Sequence, residues 1–340
     1  MRNIYDLTIK ELEDYFISIN EKKFRAVQVY EALYKRRIKS FDDMTNISKE
    51  VREKLKQDFS FYKIKMLIKQ QGKNVNKYLF ELEDGNKIES VLMFHDYGTS
   101  ICVSSQVGCN MTCAFCESGR LKKVRNLLAY EIVQQILQIE EDINKRITHV
   151  VLMGIGEPFD NYDNVMHAIR IINNQKGLNI GARHISVSTS GLVPRIYDFA
   201  NEDLQCTLSI SLHATDNTKR SAMMPVNNLY SIEELMKACK YYIAKTNKRI
   251  SFEYALAKDN NDNLEDAKAL VNLLKGMLCH VNLIPINKIE NGKFTKSSND
   301  NIIKFRDYLN DHGIVATIRR ELGSDIDAAC GQLRRKNLKT

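Results

Sequence analysis

Three cysteines within eight residues constrain this chain more than any other feature. They lie in Cys109-Asn110-Met111-Thr112-Cys113-Ala114-Phe115-Cys116, a C-x3-C-x2-C spacing with an aromatic residue before the last thiol. The stretch follows an apolar run at 101–107, so it reads as a loop at the end of a strand. A [4Fe–4S] cluster normally takes four thiolates. Three thiolates from Cys109, Cys113 and Cys116 leave one iron without a protein ligand and open to a small molecule. S-adenosylmethionine can fill that place through its amino and carboxylate groups, and an electron from the cluster can then cleave its sulfonium bond. Structural zinc is the competing reading, but it wants a second Cys or His pair at a fixed distance, and no such pair follows. The residues point to a cofactor-borne radical generator.

Composition narrows the setting. A chain of 340 residues can bury one large core and carry a small accessory domain. It contains eight cysteines, and Met1-Arg2-Asn3-Ile4-Tyr5-Asp6 leads into a charged amphipathic stretch rather than a signal segment. Together these predict a reducing, cytoplasmic compartment in which thiols serve metals or chemistry. No apolar run approaches membrane-spanning length. The formal charge of +8 allows a polyanionic partner. Its basic residues come in clusters: Lys35-Arg36-Arg37 with Lys39, Lys122-Lys123 with Arg125, and Arg334-Arg335-Lys336 with Lys339. The second cluster immediately follows the cysteine loop, which favours RNA or DNA there.

The hydrophobic period changes along the chain. Residues 1–60 read as short helices, with stripes at Leu7, Leu12, Tyr15, Phe16 and Ile19, then at Phe24, Val27, Val29, Tyr30, Leu33 and Tyr34. A third helix is expected over 45–55, with Asn46 and Ser48 as candidate caps. Strands are expected at 63–69, 76–82 and 87–94, the last two joined by a turn at Glu83-Asp84-Gly85-Asn86. From residue 100 strands alternate with amphipathic helices. Strands are expected at 100–106, 148–153, 184–189, 206–213, 249–256, 280–286 and 314–320. Helices are expected at 128–145, 162–173, 194–200, 232–245, 264–275 and 299–312. Repeated strand–helix units predict an α/β fold with a parallel sheet and right-handed crossovers. Six units are too few for a closed eightfold barrel, so the expected architecture is an open partial (β/α)6 barrel with ligands at the C-terminal strand ends. The division expected is a helical module at 1–60, a β extension at 61–98 and the catalytic barrel at 99–340.

Candidate binding groups fall at those strand ends. Met153-Gly154-Ile155-Gly156-Glu157-Pro158 lacks the third glycine of a dinucleotide fingerprint. It suggests a tight turn that offers a backbone edge to a small molecule, or a plain structural turn. Ser188-Thr189-Ser190-Gly191 and Ser209-Ile210-Ser211-Leu212-His213 alternate hydroxyl and apolar side chains, so one face can hold a ribose or carboxylate. His213 alone reads more readily as a satisfied interior imidazole than as a catalyst. Asn287 closes another strand and could bond an adenine or ribose edge. Cys102 lies just before the cysteine loop, and Cys330 sits in the small-residue stretch Asp325-Ile326-Asp327-Ala328-Ala329-Cys330-Gly331-Gln332-Leu333, which could fold back over the barrel mouth. Buried, inert thiol is the default for either one, and it suits Cys206, Cys239 and Cys279.

These segments, together with Lys23-Phe24-Arg25-Ala26, Ile88-Glu89-Ser90-Val91-Leu92-Met93, Cys102-Val103-Ser104-Ser105-Gln106-Val107-Gly108-Cys109 and His280-Val281-Asn282-Leu283-Ile284-Pro285, resemble the RlmN/Cfr group of radical S-adenosylmethionine RNA methyltransferases. The resemblance runs along nearly the whole chain, and the C-terminal cysteine segment is its most specific part. It implies a radical-SAM barrel, a [4Fe–4S] cluster on Cys109, Cys113 and Cys116, and two S-adenosylmethionine molecules per turnover. One methylates Cys330. The second is cleaved reductively to a 5′-deoxyadenosyl radical, which takes hydrogen from that methyl so that the carbon can add to adenine. Cys102 would then close a disulfide with Cys330 and release the product, with Glu89 as proton acceptor. Contacts to S-adenosylmethionine map onto Gly156, Glu157, Ser188, Ser211, Leu212, His213 and Asn287.

Adenine C2 is neither acidic nor nucleophilic, so polar methyl transfer fails there and a radical route is needed. The housekeeping branch of the group modifies C2 of an adenosine in 23S rRNA near the peptidyl transferase centre, and often C2 of the adenosine 3′ of certain tRNA anticodons. Phe252-Glu253-Tyr254-Ala255-Leu256 and the 278–285 stretch look more like that branch than like the Cfr branch, which methylates C8. The loop after Cys116, Glu117-Ser118-Gly119-Arg120-Leu121-Lys122-Lys123, departs from the group's usual Ala/Ser-Thr and glycine pattern. The expected partners are 23S rRNA, tRNA and a low-potential flavodoxin or ferredoxin, with a monomeric enzyme that grips RNA through its basic clusters and N-terminal module. A radical activase of a protein substrate, or a non-catalytic cluster-bearing RNA-binding protein, would not need Cys330.

Overall fold

The computed structural model describes residues 1–287 and 293–320, with Gly323 and Ile326. Three helices open the chain: α1 (Ile9–Ser18), α2 (Arg25–Tyr34) and α3 (Lys49–Asp58). The Thr8 hydroxyl caps the Glu11 amide while the Glu11 carboxylate accepts from the Thr8 amide, a reciprocal pair that fixes where α1 starts. α3 begins later than its apolar pattern suggests, because Ser48 rather than Asn46 is the cap that accepts from Val51. The module is pinned to the rest of the chain by the Arg37–Glu140 ion pair and by the Tyr130 amide, which donates to Asp6 at 3.1 Å.

Three antiparallel strands follow: β1 (Lys65–Gly72), β2 (Val75–Glu81) and β3 (Lys87–His95). The β2–β3 turn is the one expected at residues 83–86. Gly85 takes φ +77° there, and the Asp84 carboxylate accepts from the Asn86 amide at 3.0 Å. β3 pairs antiparallel with β4 (Gly98–Cys102), and from there every pairing is parallel. The succession is β5 (His149–Leu152), β6 (Ile185–Thr189), β7 (Thr207–Ser211), β8 (Ile250–Leu256), β9 (Cys279–Pro285) and β10 (Ala316–Ile318). Among the described residues the sheet runs in the order β10-β9-β8-β7-β6-β5-β4-β3-β2-β1. Each parallel strand thus lies beside its sequence neighbours, so the crossovers wind one way and the sheet curls into an open barrel. The crossovers are α4 (Ala129–Ile143), α5 (Tyr162–Asn173), α6 (Val193–Ala200), α7 (Asn217–Met223) with α8 (Ile232–Thr246), α9 (Leu264–Leu274) and α10 (Asn299–Asp311).

Besides such shifts of element ends, two features depart from expectation. The strand expected over 100–106 stops at Cys102, because Ser104 leaves the ladder. Its amide donates to Gln135 of α4 at 2.8 Å and its hydroxyl to the Glu89 carbonyl at 2.6 Å. Residues Gln106–Val107 then pair with Arg125–Asn126 as a small ribbon flanking the cysteine loop. α7 has no counterpart in the sequence pattern. It is a short polar helix set by its cap, Asp216, which accepts from the Lys219 amide at 2.8 Å. The apolar core is continuous from Leu12, Phe16 and Leu33 through Ile132 and Val150 to Leu208, Phe252 and Phe305. No described helix is long and apolar enough to cross a membrane.

Candidate active site

A cleft opens at the C-terminal ends of the parallel strands and is lined by Cys109, Cys113 and Cys116. The loop between them is held by backbone. The Cys109 amide donates to Leu121 at 2.8 Å, the Cys116 amide to Cys113 at 3.1 Å and the Ala114 amide to Met223 of α7 at 2.9 Å. Gly108 sits at φ +79°, and a Cβ there would lie 2.3 Å from the Lys122 carbonyl oxygen, so no other residue lets the loop close.

Burial pushes the Cys109 thiol up to about 12. Cys113 is raised as well, first by burial and then by the charges of Cys116 and Cys109. Three sulfurs that oppose one another's ionisation around one cleft suit a group that bonds them as thiolates. Among the described residues no His, Cys, Asp and Glu side chains converge tightly enough to hold a single metal ion. A [4Fe–4S] cluster asks for something else, one thiolate per iron on separate corners, and three cleft-lining cysteines with a fourth side left open fit it.

The glycine turn after β5 forms the adjoining wall. Gly154 and Gly156 are glycines because the turn packs directly on the segment leading to the cysteine loop. A Cβ on Gly154 would meet the Val103 carbonyl oxygen at 2.6 Å, and one on Gly156, at φ +113°, would meet Gln106 Cβ at 2.7 Å and the Gln106 amide at 2.8 Å. The two segments also exchange hydrogen bonds, Ser105 amide to Ile155 carbonyl at 2.9 Å and Glu157 amide to Gln106 Oε1 at 2.8 Å. Gly156→Ala is expected to cost about 2–3 kcal/mol from steric overlap and the left-handed φ. Urea unfolding of the two proteins measures it, and an unchanged midpoint contradicts this packing. Glu157 itself is buried. Its carboxylate accepts from the Ser190 amide at 2.7 Å and the Phe159 amide at 2.9 Å, while burial raises its pKa.

The far wall comes from the ends of β6, β7, β8 and β9. Ser188, Ser211, His213, Glu253 and Asn287 line the cleft, whereas Leu212 does not: its side chain is buried in the main core, and its amide and carbonyl bond Glu253 and Arg220. Glu253 was not anticipated as a cleft residue. It stands in register between Ser211 and Asn282 and accepts from Asn282 Nδ2 at 2.8 Å, and burial raises its pKa against the opposing charge of Arg319. His213 sits at φ +58° with its ring edge-on to Phe115, 4.9 Å between centroids.

The His213 Nδ1 accepts from the Ala255 amide at 2.9 Å, which leaves the ring proton on Nε2. Burial, aided by Arg220, holds this imidazole down at about 3 against an ordinary 6.5. The folded protein therefore excludes a proton that the unfolded chain takes up below pH 6.5. The contribution of His213 to stability is complete above pH 6.5 and drains away as pH falls toward 3, by up to about 1.4 kcal/mol per pH unit. Urea unfolding between pH 6.5 and 4.5 should show a slope shallower by about 1 kcal/mol per unit in His213→Asn than in the parent. Parallel slopes contradict the assignment.

Cys102 and Glu89 lie apart from the cleft lining but together. Cys102 of β4 is the register partner of Val91, and Glu89 stands two residues along β3 on the same sheet face. The Glu89 carboxylate is 3.0 Å from Lys77 Nζ, a pair less than 9% exposed at either end. Lys77 escaped sequence reasoning because its strand, β2, is buried on both faces. Ile326 packs on the patch formed by Val75, Val91, Cys102 and Ile155. Cys330 lies outside the described residues.

Two of the basic clusters are engaged internally. Lys123 pairs with Asp160 at 2.6 Å, Arg125 grips Glu131 with both nitrogens and Asp84 with Nε, and Arg37 pairs with Glu140. The cluster after the cysteine loop thus clamps that loop to α4 and to the glycine turn, leaving Lys122 exposed. The third cluster lies outside the described residues.

Comparison with known proteins agrees with this geometry. Residues 2–60 match the Ribosomal RNA large subunit methyltransferase N-terminal domain, and residues 103–273 match the Radical SAM superfamily. The chain is 54% identical to a "Probable dual-specificity RNA methyltransferase RlmN" of Caldanaerobacter subterraneus subsp. tengcongensis, over 100% of this chain and 99% of that protein. It is 50% identical to a protein of the same description from Clostridium novyi, with the same coverage. The crystal structure of a radical SAM methyltransferase from Sphaerobacter thermophilus superposes with a TM-score of 0.93 at 40% identity, covering 98% of this chain and 99% of that one. A three-cysteine loop at the mouth of an open parallel barrel, joined to that N-terminal domain, together with these relatives places this chain in the RlmN family of radical S-adenosylmethionine RNA methyltransferases.

Proposed function

We propose that this enzyme methylates C2 of an adenosine in 23S rRNA near the peptidyl transferase centre and C2 of the adenosine 3′ of the anticodon in some tRNAs. Cys330 carries the methyl between S-adenosylmethionine and the base. The observation that carries this reading is the pairing of two separate assemblies on one barrel. One is the cleft of Cys109, Cys113, Cys116, Gly156, Glu157, Ser188, Ser211, His213 and Asn287; the other is the Cys102–Glu89 face, against which Ile326, four residues before Cys330, is packed. The two RNA classes are in keeping with the "dual-specificity" in the relatives' descriptions.

In this scheme Cys109, Cys113 and Cys116 hold the [4Fe–4S] cluster. The glycine turn, Glu157, the serine hydroxyls, His213 and Asn287 hold S-adenosylmethionine. When bound, cluster and S-adenosylmethionine supply the radical that removes a hydrogen atom from an otherwise inert methyl group. The chain does the rest. The Cys330 thiolate displaces the methyl from a first S-adenosylmethionine, forming the S–C bond as the sulfonium C–S bond breaks. Glu89, ion-paired with Lys77 at 3.0 Å, accepts the proton lost from C2. The adduct's unpaired electron would return to the metal site. The Cys102 thiolate then attacks the Cys330 sulfur, closing a disulfide as the sulfur–carbon bond breaks; the product carbon keeps that electron pair and takes up a proton to become the methyl group, and two electrons from the donor reopen the disulfide. A low-potential flavodoxin or ferredoxin supplies the electrons, and the enzyme works as a cytoplasmic monomer.

Peptide mass spectrometry tests the covalent step. After anaerobic incubation with S-adenosylmethionine, the peptide containing Cys330 should carry one added methyl group on sulfur. An unmodified Cys330 from protein with a full cluster would overturn this scheme.

A further inference from the structure

Arg220, on α7, has the largest fully buried side chain of the described residues, at 0% exposure. Its nitrogens donate to the Leu212 carbonyl at 3.1 Å, Asn227 Oδ1 at 3.1 Å, the Ser190 carbonyl at 2.7 Å and the Ser211 carbonyl at 3.0 Å. Every one of these acceptors is neutral. Among the described residues no carboxylate forms an ion pair with it, although buried cations are ordinarily matched by an anion.

The opposite charge has to come from elsewhere, and the geometry points to the cysteine loop. α7 supports that loop directly, since the Ala114 amide donates to the Met223 carbonyl one helical turn beyond Arg220. Ser190 and Ser211, whose carbonyls take the guanidinium, both line the cleft with Cys113, and Cys113 and Cys239 are the two thiols whose charge would favour the guanidinium. Arg220 itself does not line it, and its bonds to protein oxygens keep it from reaching a ligand. It can act there only through its field.

We propose that Arg220 is the fixed countercharge of the cysteine site, a positioning residue that eases one-electron reduction of the cluster. Three thiolates on an oxidised [4Fe–4S] core carry a net negative charge, and the electron adds another. At an effective dielectric constant of about 20, a unit cation at a separation on the order of 10 Å favours a reduced form that carries one more negative charge by about tenfold. The electron comes from the low-potential donor named above. The proposal rests on the reading that Cys109, Cys113 and Cys116 hold the cluster, and it assigns the residue beneath them that tunes it.

The test is a redox titration of the reconstituted full chain, following the reduced cluster by electron paramagnetic resonance with mediators. In Arg220→Gln the ratio of reduced to oxidised cluster at a fixed poise should fall about tenfold, a midpoint lower by about 59 mV. Arg220→Lys should stay within about twofold of the parent, because charge rather than bonding pattern sets the ratio. Asn227→Asp offers a second route should the glutamine variant not fold. It sets a carboxylate 3.1 Å from Nη1, toward which the Ser221 hydroxyl can turn to donate, while the two bonds the Asn227 amide gives Asn217 are lost. It too should lower the ratio. Ratios unchanged in Arg220→Gln, or in Asn227→Asp where the former does not fold, overturn the proposal and leave Arg220 a strand-end tie. Iron and acid-labile sulfide are assayed on every sample, and a parent protein that takes up neither overturns the site reading and this proposal with it.

Discussion

Cys330→Ala is expected to abolish RNA methylation, by at least about a thousandfold, the scale on which loss of a covalent nucleophile lowers turnover. The same variant should keep its iron and sulfide, and it should still cleave S-adenosylmethionine reductively, because Cys109, Cys113, Cys116 and the strand-end residues are untouched. Anaerobic assays of methylated nucleoside and of 5′-deoxyadenosine, run on one preparation, separate the two activities. The physical ground is that adenine C2 cannot attack a sulfonium methyl, so the methyl needs a covalent waiting place near the radical source. Ile326, four residues before Cys330 in the sequence, packs on the Cys102 patch. Methylated RNA from Cys330→Ala would show that the carbon reaches the base without this thiol.

Cys102→Ala should fail later and differently. Its β4 position opposite Val91, on the face shared with Glu89, fits a thiol that resolves an adduct rather than one that starts it. The expected result is a protein–RNA species, linked through Cys330 and stable to denaturing electrophoresis, with released methylated RNA lowered by at least about a hundredfold. A Cys102→Ala,Cys330→Ala double variant should form no such species. If Cys102→Ala instead turns over normally, the disulfide step is absent and another group releases the product.

Most of the barrel was legible because its helices and strands carry clean periods. α5 spans Tyr162–Asn173, the stretch its apolar stripe predicts, and β9 differs from its expected run by a single residue at each end. The N-terminal limits of α1 and α3 follow from caps written in the sequence at Thr8 and Ser48. What could not be read depends on contacts distant in the chain. Lys123, Arg125 and Arg37 form basic runs that suggest an RNA face, yet their carboxylate partners Asp160, Asp84 and Glu140 lie 37, 41 and 103 residues away. Arg220 stands in the polar stretch Asn217-Thr218-Lys219-Arg220-Ser221, which has no apolar stripe and reads as surface. Only the fold turns it inward beneath the cysteine loop.

The glycine turn shows the same limit from the other side. Gly154-Ile155-Gly156-Glu157-Pro158 was readable as a tight turn beside a ligand, and it does line the cleft. Its glycines, however, answer to Val103 and Gln106 on a neighbouring segment, which no local pattern reveals. Leu212 is a further case. Its neighbours Ser211 and His213 line the cleft, whereas Leu212 itself is buried in the main core.

One measurement bears most directly on the function. The protein, purified and reconstituted without oxygen, is given reductant, S-adenosylmethionine and either unmodified 23S rRNA fragments or tRNA, and the digested nucleosides are resolved by mass spectrometry against standards. 2-Methyladenosine from both RNAs is the predicted result, and it should be lost with Cys330→Ala. 8-Methyladenosine, or cleaved S-adenosylmethionine without any methylated adenosine, would contradict the assignment.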